Sequence, residues 1–291
     1  MNSDKKFNIT KKIFNILIFT AFLWPTNLMA AESTIQSGAR PFGLDIVDTV
    51  QGAGSDESSA QFQSDVLPTL QDWISTNLNE TTPIEDTTSI SLDPSKLFLS
   101  TQSDVRAYFV GEGAGYHNTL GFNTDGSGGI STGDPKLIFP DSSSNTTYMG
   151  TSSTATRTRT ASAPLLPGDF VDMGTFEGGT QLDFFLIANG ANGGQNTFST
   201  QISVNPDGIN HVVAFALADS PYLLIGFEDL YNGGDKDYND LLFAIDIGTV
   251  NVAALTNAPE PSTLYILFSF IPCTIYLKRR RDYKNQSVKG L

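Results

Sequence analysis

The feature that most restricts what this chain can fold into is a period of two in its apolar residues from Asp104 onward. Val105, Ala107 and Phe109 alternate with Arg106 and Tyr108, and Leu182, Phe184 and Leu186 alternate around Asp183. Val213, Phe215 and Leu217 follow, then Leu223, Ile225 and Phe227, then Leu241, Phe243, Ile245 and Ile247. Successive side chains of a strand point to opposite faces, so each run presents one apolar face. Clusters such as NGANGGQN, NPDG and NGGD separate the runs and supply turns. Short antiparallel strands joined in this way predict an all-β, β-sandwich-like domain over residues 104–250. No internal repeat is visible, and the Ser/Thr-rich stretch 141–162 reads as a loop or a weak edge strand.

Residues 31–103 differ in composition, rich in Ser, Thr, Gln and Asp with sparse apolar positions. Within them Leu70, Trp73, Ile74 and Leu78 have helical spacing, which predicts one short helix in Val66–Leu78 and a variable, mixed N-terminal region. Residues 251–258 read as a linker.

The charge is segregated. The chain of 291 residues carries a formal charge of −14, yet residues 32–258 hold 28 acidic and 7 basic residues, a balance of −21. Such a body repels nucleic-acid phosphates and attracts cations, so no nucleic-acid partner is expected. The remaining basic residues sit at the ends. Lys5, Lys6, Lys11 and Lys12 precede the apolar run Ile13–Trp24, and the small residues Ala30 and Ala31 follow. That order is a signal peptide over residues 1–30, with an N-terminal membrane anchor as the alternative. The single cysteine, Cys273, excludes an intrachain disulfide.

At the other end Pro259, Glu260 and Pro261 precede the apolar run Leu264–Leu277, which Lys278, Arg279, Arg280 and Arg281 close. Positive charge at that position holds the end of a membrane segment in the cytoplasm. This three-part tail, residues 259–281 ahead of a basic tail at 282–291, resembles a PEP-CTERM sorting signal. The resemblance implies an exosortase-type processing enzyme as partner and cleavage near Pro-Glu-Pro. It also implies transient membrane association through 264–277, and a place on the cell surface or outside a Gram-negative-type envelope. An ordinary single-span anchor is the alternative.

Between the last two apolar runs lies GFEDLYNGGDKDYNDLLFAIDI. Glu228, Asp229, Asp235, Asp237, Asn239 and Asp240 crowd there beside one cation, Lys236. Carboxylates so close repel one another unless a cation neutralises them. Hard oxygen donors two residues apart suit Ca²⁺, which takes 6–8 oxygens. The spacing of Asp235, Asp237 and Asn239 resembles the start of an EF-hand loop, but Asp240 stands where that loop needs Gly and a strand follows. The six residues are therefore a candidate Ca²⁺ site, the alternative being a solvated turn built from Asp and Asn.

FVGEGAGYHNTLGF (Phe109–Phe122) and GFEDLYNGGDKDYNDLLFAI resemble the opening and closing motifs of domain of unknown function 4114, over roughly Asp104–Gly248. The resemblance implies a secreted or surface β-domain of the kind suspected of binding Ca²⁺, with no established reaction. Glu112, in the first motif, is a further carboxylate to place relative to the acidic loop.

His117 and His211 are the only histidines and read as strand-end or surface residues. There is no H-E-x-x-H pair and no phosphate loop, so no catalytic residues are assigned and the chain is not read as an enzyme. The expected function is a Ca²⁺-binding structural or adhesive protein of an exopolysaccharide matrix or biofilm, with extracellular polysaccharide as the candidate partner. The alternative is a Ca²⁺-dependent carbohydrate-binding module using Tyr116, Tyr231 and Tyr238. A hydrolase built on paired carboxylates is a third reading.

If the tail is processed as its resemblance implies, substituting Glu260 blocks cleavage and neutralising Arg279, Arg280 and Arg281 disturbs membrane orientation. Mass spectrometry of the released protein checks this. A released form that still contains 264–277 contradicts it.

Overall fold

A computed structural model describes residues 35–79, 82–87, 91–146, 159–217 and 219–257. The segments read from sequence as a signal peptide (1–30), a Pro-Glu-Pro sorting signal (259–281) and a basic tail (282–291), and residues 147–158 of the Ser/Thr-rich stretch, lie outside them. Among the described residues no helix is long and apolar enough to cross a membrane.

Among the described residues nine strands form: β1 (Ser103–Gly111), β2 (Thr119–Asn123), β3 (Lys136–Phe139), β4 (Phe170–Phe176), β5 (Asp183–Ile187), β6 (Thr197–Ser199), β7 (Val212–Ala216), β8 (Tyr222–Phe227) and β9 (Leu241–Asp246). They assemble into two antiparallel sheets, ordered β4-β1-β9-β8-β7 and β3-β2-β5-β6. This is the all-β sandwich that the alternation predicts. Val105, Ala107 and Phe109 on β1 point between the sheets, with Ile225, Phe227, Phe243 and Ile245 beside them and Leu120, Phe184, Leu186 and Phe198 opposite. Phe184 meets Phe243 edge-on, with centroids 5.2 Å apart, which joins the two sheets at their centre.

The five-stranded sheet is also covered on its outer face. Helix α1 (Glu57–Gln61) passes through one π-turn (Phe62–Val66) into α2 (Leu67–Asn77). Asp56 caps α1 by accepting from the Ser59 amide at 2.7 Å, and Ser59 Oγ accepts from the Asp56 amide in return. Phe62, Leu67, Leu70 and Ile74 then bury against Tyr108, Tyr222, Leu224 and Leu242, the even-numbered residues of β1, β8 and β9. The Phe62 and Tyr108 rings stack with centroids 3.9 Å apart. Arg106 lies over the Phe170 ring at 4.1 Å and pairs with Asp56 and Asp172, so the cap of α1 is tied to β1 and β4.

Two-sided burial explains why β7 departs from a simple alternation. Val212 and Ala214 face the inter-sheet core, whereas Phe215 and Leu217, on the parity that the sequence singles out, pack on the helix side. Trp73 meets Phe215 there at 4.5 Å.

The described residues of the region 31–103, set apart on composition, are built into the sandwich. Val47 and Asp45 hydrogen-bond to Leu137 on edge strand β3, and Gln51 exchanges both of its backbone bonds with Phe170 on edge strand β4. Leu92 bonds to Ala214 on β7, the opposite edge of the larger sheet. Ile35, Val50, Leu97 and Leu99 join the main core. Three of the sheet edges are thereby occupied, which removes templates for strand addition. The stretch expected as a linker, 251–258, is helical over its described residues, 251–257. Residues Thr249–Asn257 form α3, Val252 enters the core, and Asn251 Oδ1 accepts from the amides of Ser100 (2.8 Å) and Thr101 (2.9 Å). The Asn251 carboxamide supplies partners that composition does not reveal.

Phe62→Ala empties a fully buried site between helix and sheet and is expected to lower stability by about 3–5 kcal/mol, measured by denaturant unfolding.

Candidate metal centre

The acidic stretch joins β8 to β9. The ladder between them ends with Phe227 opposite Leu241, so the loop leaves and re-enters the sheet at one point. Its backbone is wound by left-handed residues. Asn232, Gly233, Gly234, Lys236 and Tyr238 have φ of 66°, 79°, 49°, 61° and 56°. Lysine and tyrosine pay roughly 1–2 kcal/mol each for that conformation, and such strain gathers at sites where ligands are held. From Gly234 onward left-handed residues alternate with Asp235, Asp237 and Asn239. The winding returns Asp235 and Asp237 to the side chain of Glu228. One carboxylate oxygen from each of Glu228, Asp235 and Asp237 lies within 4.8 Å of the others. Two glycines keep the space open: a Cβ on Gly234 would stand 2.6 Å from Glu228 Oε2, and one on Gly226 would stand 2.3 Å from the Tyr238 carbonyl.

Glu228 is the anomaly of the group. It is fully buried; Oε1 accepts from the Tyr238 amide at 2.7 Å, while Oε2 has no hydrogen-bond partner. Burial pushes its pKa up to about 7, with the Tyr238 amide opposing and the charges of Asp237, Asp235 and Asp229 adding to the rise. Asp235 is exposed, and Asp237 is buried with its Oδ1 accepting from the Asn239 amide at 3.3 Å. All three donors are oxygens, with no imidazole or thiolate among them, a set suited to a hard cation.

Asp229 and Asp240 form a second group beside the first. The Asp229 amide donates to Asp240 Oδ2 at 2.9 Å, and Asn118 Nδ2 donates to Asp229 Oδ2 at 2.7 Å. Burial, and for Asp240 the adjacent Asp229 charge, pushes both above the ordinary carboxylate range. Asn239 takes a third direction: its Nδ2 lies 3.4 Å from the Leu78 carbonyl, and its own carbonyl accepts from the Gly113 amide at 3.0 Å. The six residues expected as one ligand set are thus a converging triad, an adjoining pair and an asparagine that ties the loop to its surroundings.

A cavity of about 470 Å³ opens over these groups. It is lined by Asp229, Leu230, Asp235, Asp237, Asn239 and Asp240 of the acidic loop and by Gly113–Tyr116 of the segment after β1. Of the three tyrosines expected around the loop, Tyr116 and Tyr231 are 42% and 52% exposed, but Tyr238 is buried at 5% and offers no face to a ligand. Glu112 turns toward the Ser144 amide, from which it accepts at 3.0 Å.

The loop is held from behind by residues that spacing alone does not single out. His211 is the strand-end residue of the two expectations, directly before β7, and it is fully buried. It stacks on Phe198 at 3.8 Å, with Nε2 2.8 Å from Asp207 Oδ2 and Nδ1 3.2 Å from the Glu228 carbonyl. Asp207 Oδ2 also accepts from the Asn232 amide at 2.8 Å. On the other flank Ile84 donates to the Lys236 carbonyl at 2.9 Å, and Lys236 Nζ pairs with Glu85 at 3.2 Å. The NPDG cluster was legible as a turn, and its aspartate is also the anchor. His117 is half-buried, with Nδ1 3.3 Å from Asp141 Oδ2.

Residues 176–248 match the family described as Domain of unknown function (DUF4114). The match begins at the last residue of β4 and takes in β5–β9 with the whole acidic loop. The first motif, Phe109–Phe122, lies outside it, as does β1, which hydrogen-bonds between β4 and β9 at the heart of the larger sheet. No curated protein and no solved structure matches the chain.

Burial pushes the Glu112 carboxyl up to about 7 from an ordinary 4.5. A raised acid binds its proton more tightly in the folded state, so this group lowers stability as pH rises from about 4.5 through about 7. Glu112→Gln is expected to flatten that part of the stability–pH curve, measured by denaturant unfolding across the window.

Proposed function

We propose that the chain is an exported β-sandwich protein whose acidic hairpin binds Ca²⁺, and that the bound ion holds the hairpin in its native winding. The observation that carries this is Glu228 Oε2. It is a fully buried oxygen with no hydrogen-bond partner, on a carboxylate that comes within 4.8 Å of those of Asp235 and Asp237. A buried carboxylate left without a partner is costly, and a cation among three converging carboxylates removes that cost. Glu228, Asp235 and Asp237 are the inner ligands in this reading, with Asp229 and Asp240 contributing charge from the adjoining wall. Ca²⁺ is preferred over Mg²⁺ because the donors are irregularly disposed and their number can be made up by water or a ligand in the open cavity, whereas Mg²⁺ demands a tight octahedron.

The wider role rests on the ends of the chain. A signal peptide and a Pro-Glu-Pro sorting tail support a structural or adhesive protein delivered to the cell surface or extracellular matrix, with extracellular polysaccharide as its setting. The strand edges occupied by the N-terminal region suit a module that works outside the cell without polymerising through its sheets.

Extracellular Ca²⁺ modules have dissociation constants of about 10⁻⁴–10⁻³ M. At ten times that constant the native state gains about 1.4 kcal/mol, which is about 3–6 °C in Tm for a domain of this size. Tm should rise with Ca²⁺, fall with chelator and respond weakly to Mg²⁺. Asp237→Ala should remove the response and Asp240→Ala should weaken it, while relief of repulsion leaves the ion-free variants at or above the ion-free parent in stability. A flat calorimetric titration at millimolar Ca²⁺, together with a melting curve indifferent to chelator, rules the site out.

A further inference from the structure

We infer that the cavity above the hairpin takes a neutral sugar, bound through a pair of adjacent hydroxyls that complete the coordination of the cation. This rests on the Ca²⁺ reading of the same hairpin and adds what the open side of the site is for. The triad offers one carboxylate each from Glu228, Asp235 and Asp237, the last two lining the cavity and Glu228 buried beside them, while Ca²⁺ takes 6–8 oxygens. Positions on the ion that face the cavity are therefore left to outside oxygens.

Charge decides which oxygens. Four of the lining residues, Asp229, Asp235, Asp237 and Asp240, are acidic, and the described lining contains no basic side chain. One divalent cation does not neutralise them together with Glu228. A carboxylate, sulfate or phosphate ligand would enter a negative field, whereas hydroxyls bind the ion without that repulsion. The far wall suits a ring rather than a water cluster. Gly113, Ala114 and Gly115 present backbone and one methyl group, so a ring can approach closely. Tyr116 and Leu230, 42% and 45% exposed, are large apolar side chains turned outward at the rim of an otherwise acidic cavity. An aromatic face against the C–H face of a sugar, with hydroxyls aimed at an ion, uses both walls at once. The Gly113 amide is bonded to the Asn239 carbonyl, so the two walls are already held together.

The test uses the full chain in calorimetry, with Ca²⁺ titrated first and glycosides second. The probes are the methyl glycosides of mannose, galactose and fucose, with glucuronate as the acidic comparison. The expected result is Ca²⁺ binding followed by millimolar binding of at least one neutral glycoside, loss of that binding in EGTA, and at least about fivefold weaker binding of glucuronate. Tyr116→Ala should weaken the glycoside about five- to tenfold, with Ca²⁺ binding measured alongside as the control for folding. Ca²⁺ binding with no response to any neutral glycoside at about 50 mM, where a millimolar site would be filled, overturns the inference and leaves the cation reading standing. Glycoside binding that persists in EGTA, or a preference for glucuronate, also overturns it. A missing Ca²⁺ isotherm overturns the cation reading itself.

Discussion

The six-residue ladder between β8 and β9 is the constraint on which the rest of the molecule depends. Pairing Tyr222–Phe227 with Leu241–Asp246 fixes the separation of the two ends of the acidic loop, so thirteen residues must close over a fixed gap. The same ladder sets parity. It sends Ile225, Phe227 and Phe243 into the inter-sheet core and Leu224, Leu242 and Ala244 under the helices. A slip of one residue would exchange these faces and turn the carboxylates out of register with one another. Core packing and site geometry are therefore two readings of one set of backbone hydrogen bonds.

How much of this was legible depended on how local the signal was. The strands around Phe109, Phe184, Ile225 and Phe243 follow from alternation, because a strand's two faces are written into neighbouring residues. The helix at Leu70–Leu78 follows from spacing for the same reason. The straps at Val47 and Gln51 are not legible, because a backbone bond to a distant edge strand places no demand on side-chain type. Nor is α3, which is fixed by one Asn251 side chain meeting amides early in the chain. β7 shows the limit of alternation: with Val212 and Phe215 both covered, neither parity is marked as solvent-facing.

The site was legible as a crowd of carboxylates and not as an arrangement. Spacing placed Asp235 and Asp237 together correctly in kind, since left-handed residues at 234, 236 and 238 turn alternate side chains to one place. It could not separate the Asp229–Asp240 pair from the triad, because that division is made by Asn118 and the backbone amide of Asp229. Spacing reads Tyr238 as an exposed ring and leaves His211 between a surface and a strand-end place; both are buried. Tyr238 donates its own amide to Glu228 Oε1, and His211, at the start of β7, is stacked on Phe198 and bonded to Asp207.

The bonds between Asn251 and Ser100 join residues 151 positions apart, and Ala53 reaches Asp169 across 116. During synthesis or passage through a narrow pore, the first third of the chain therefore emerges with its hydrogen-bonding partners still to come. The straps have no edge to occupy and the helices have no sheet to cover until most of the chain has followed. Contacts of such long sequence separation make folding slow and late. A chain interrupted midway leaves open sheet edges exposed, whereas a chain completed through α3 closes them together. Folding of the sandwich thus waits for the segment that carries β9 and α3.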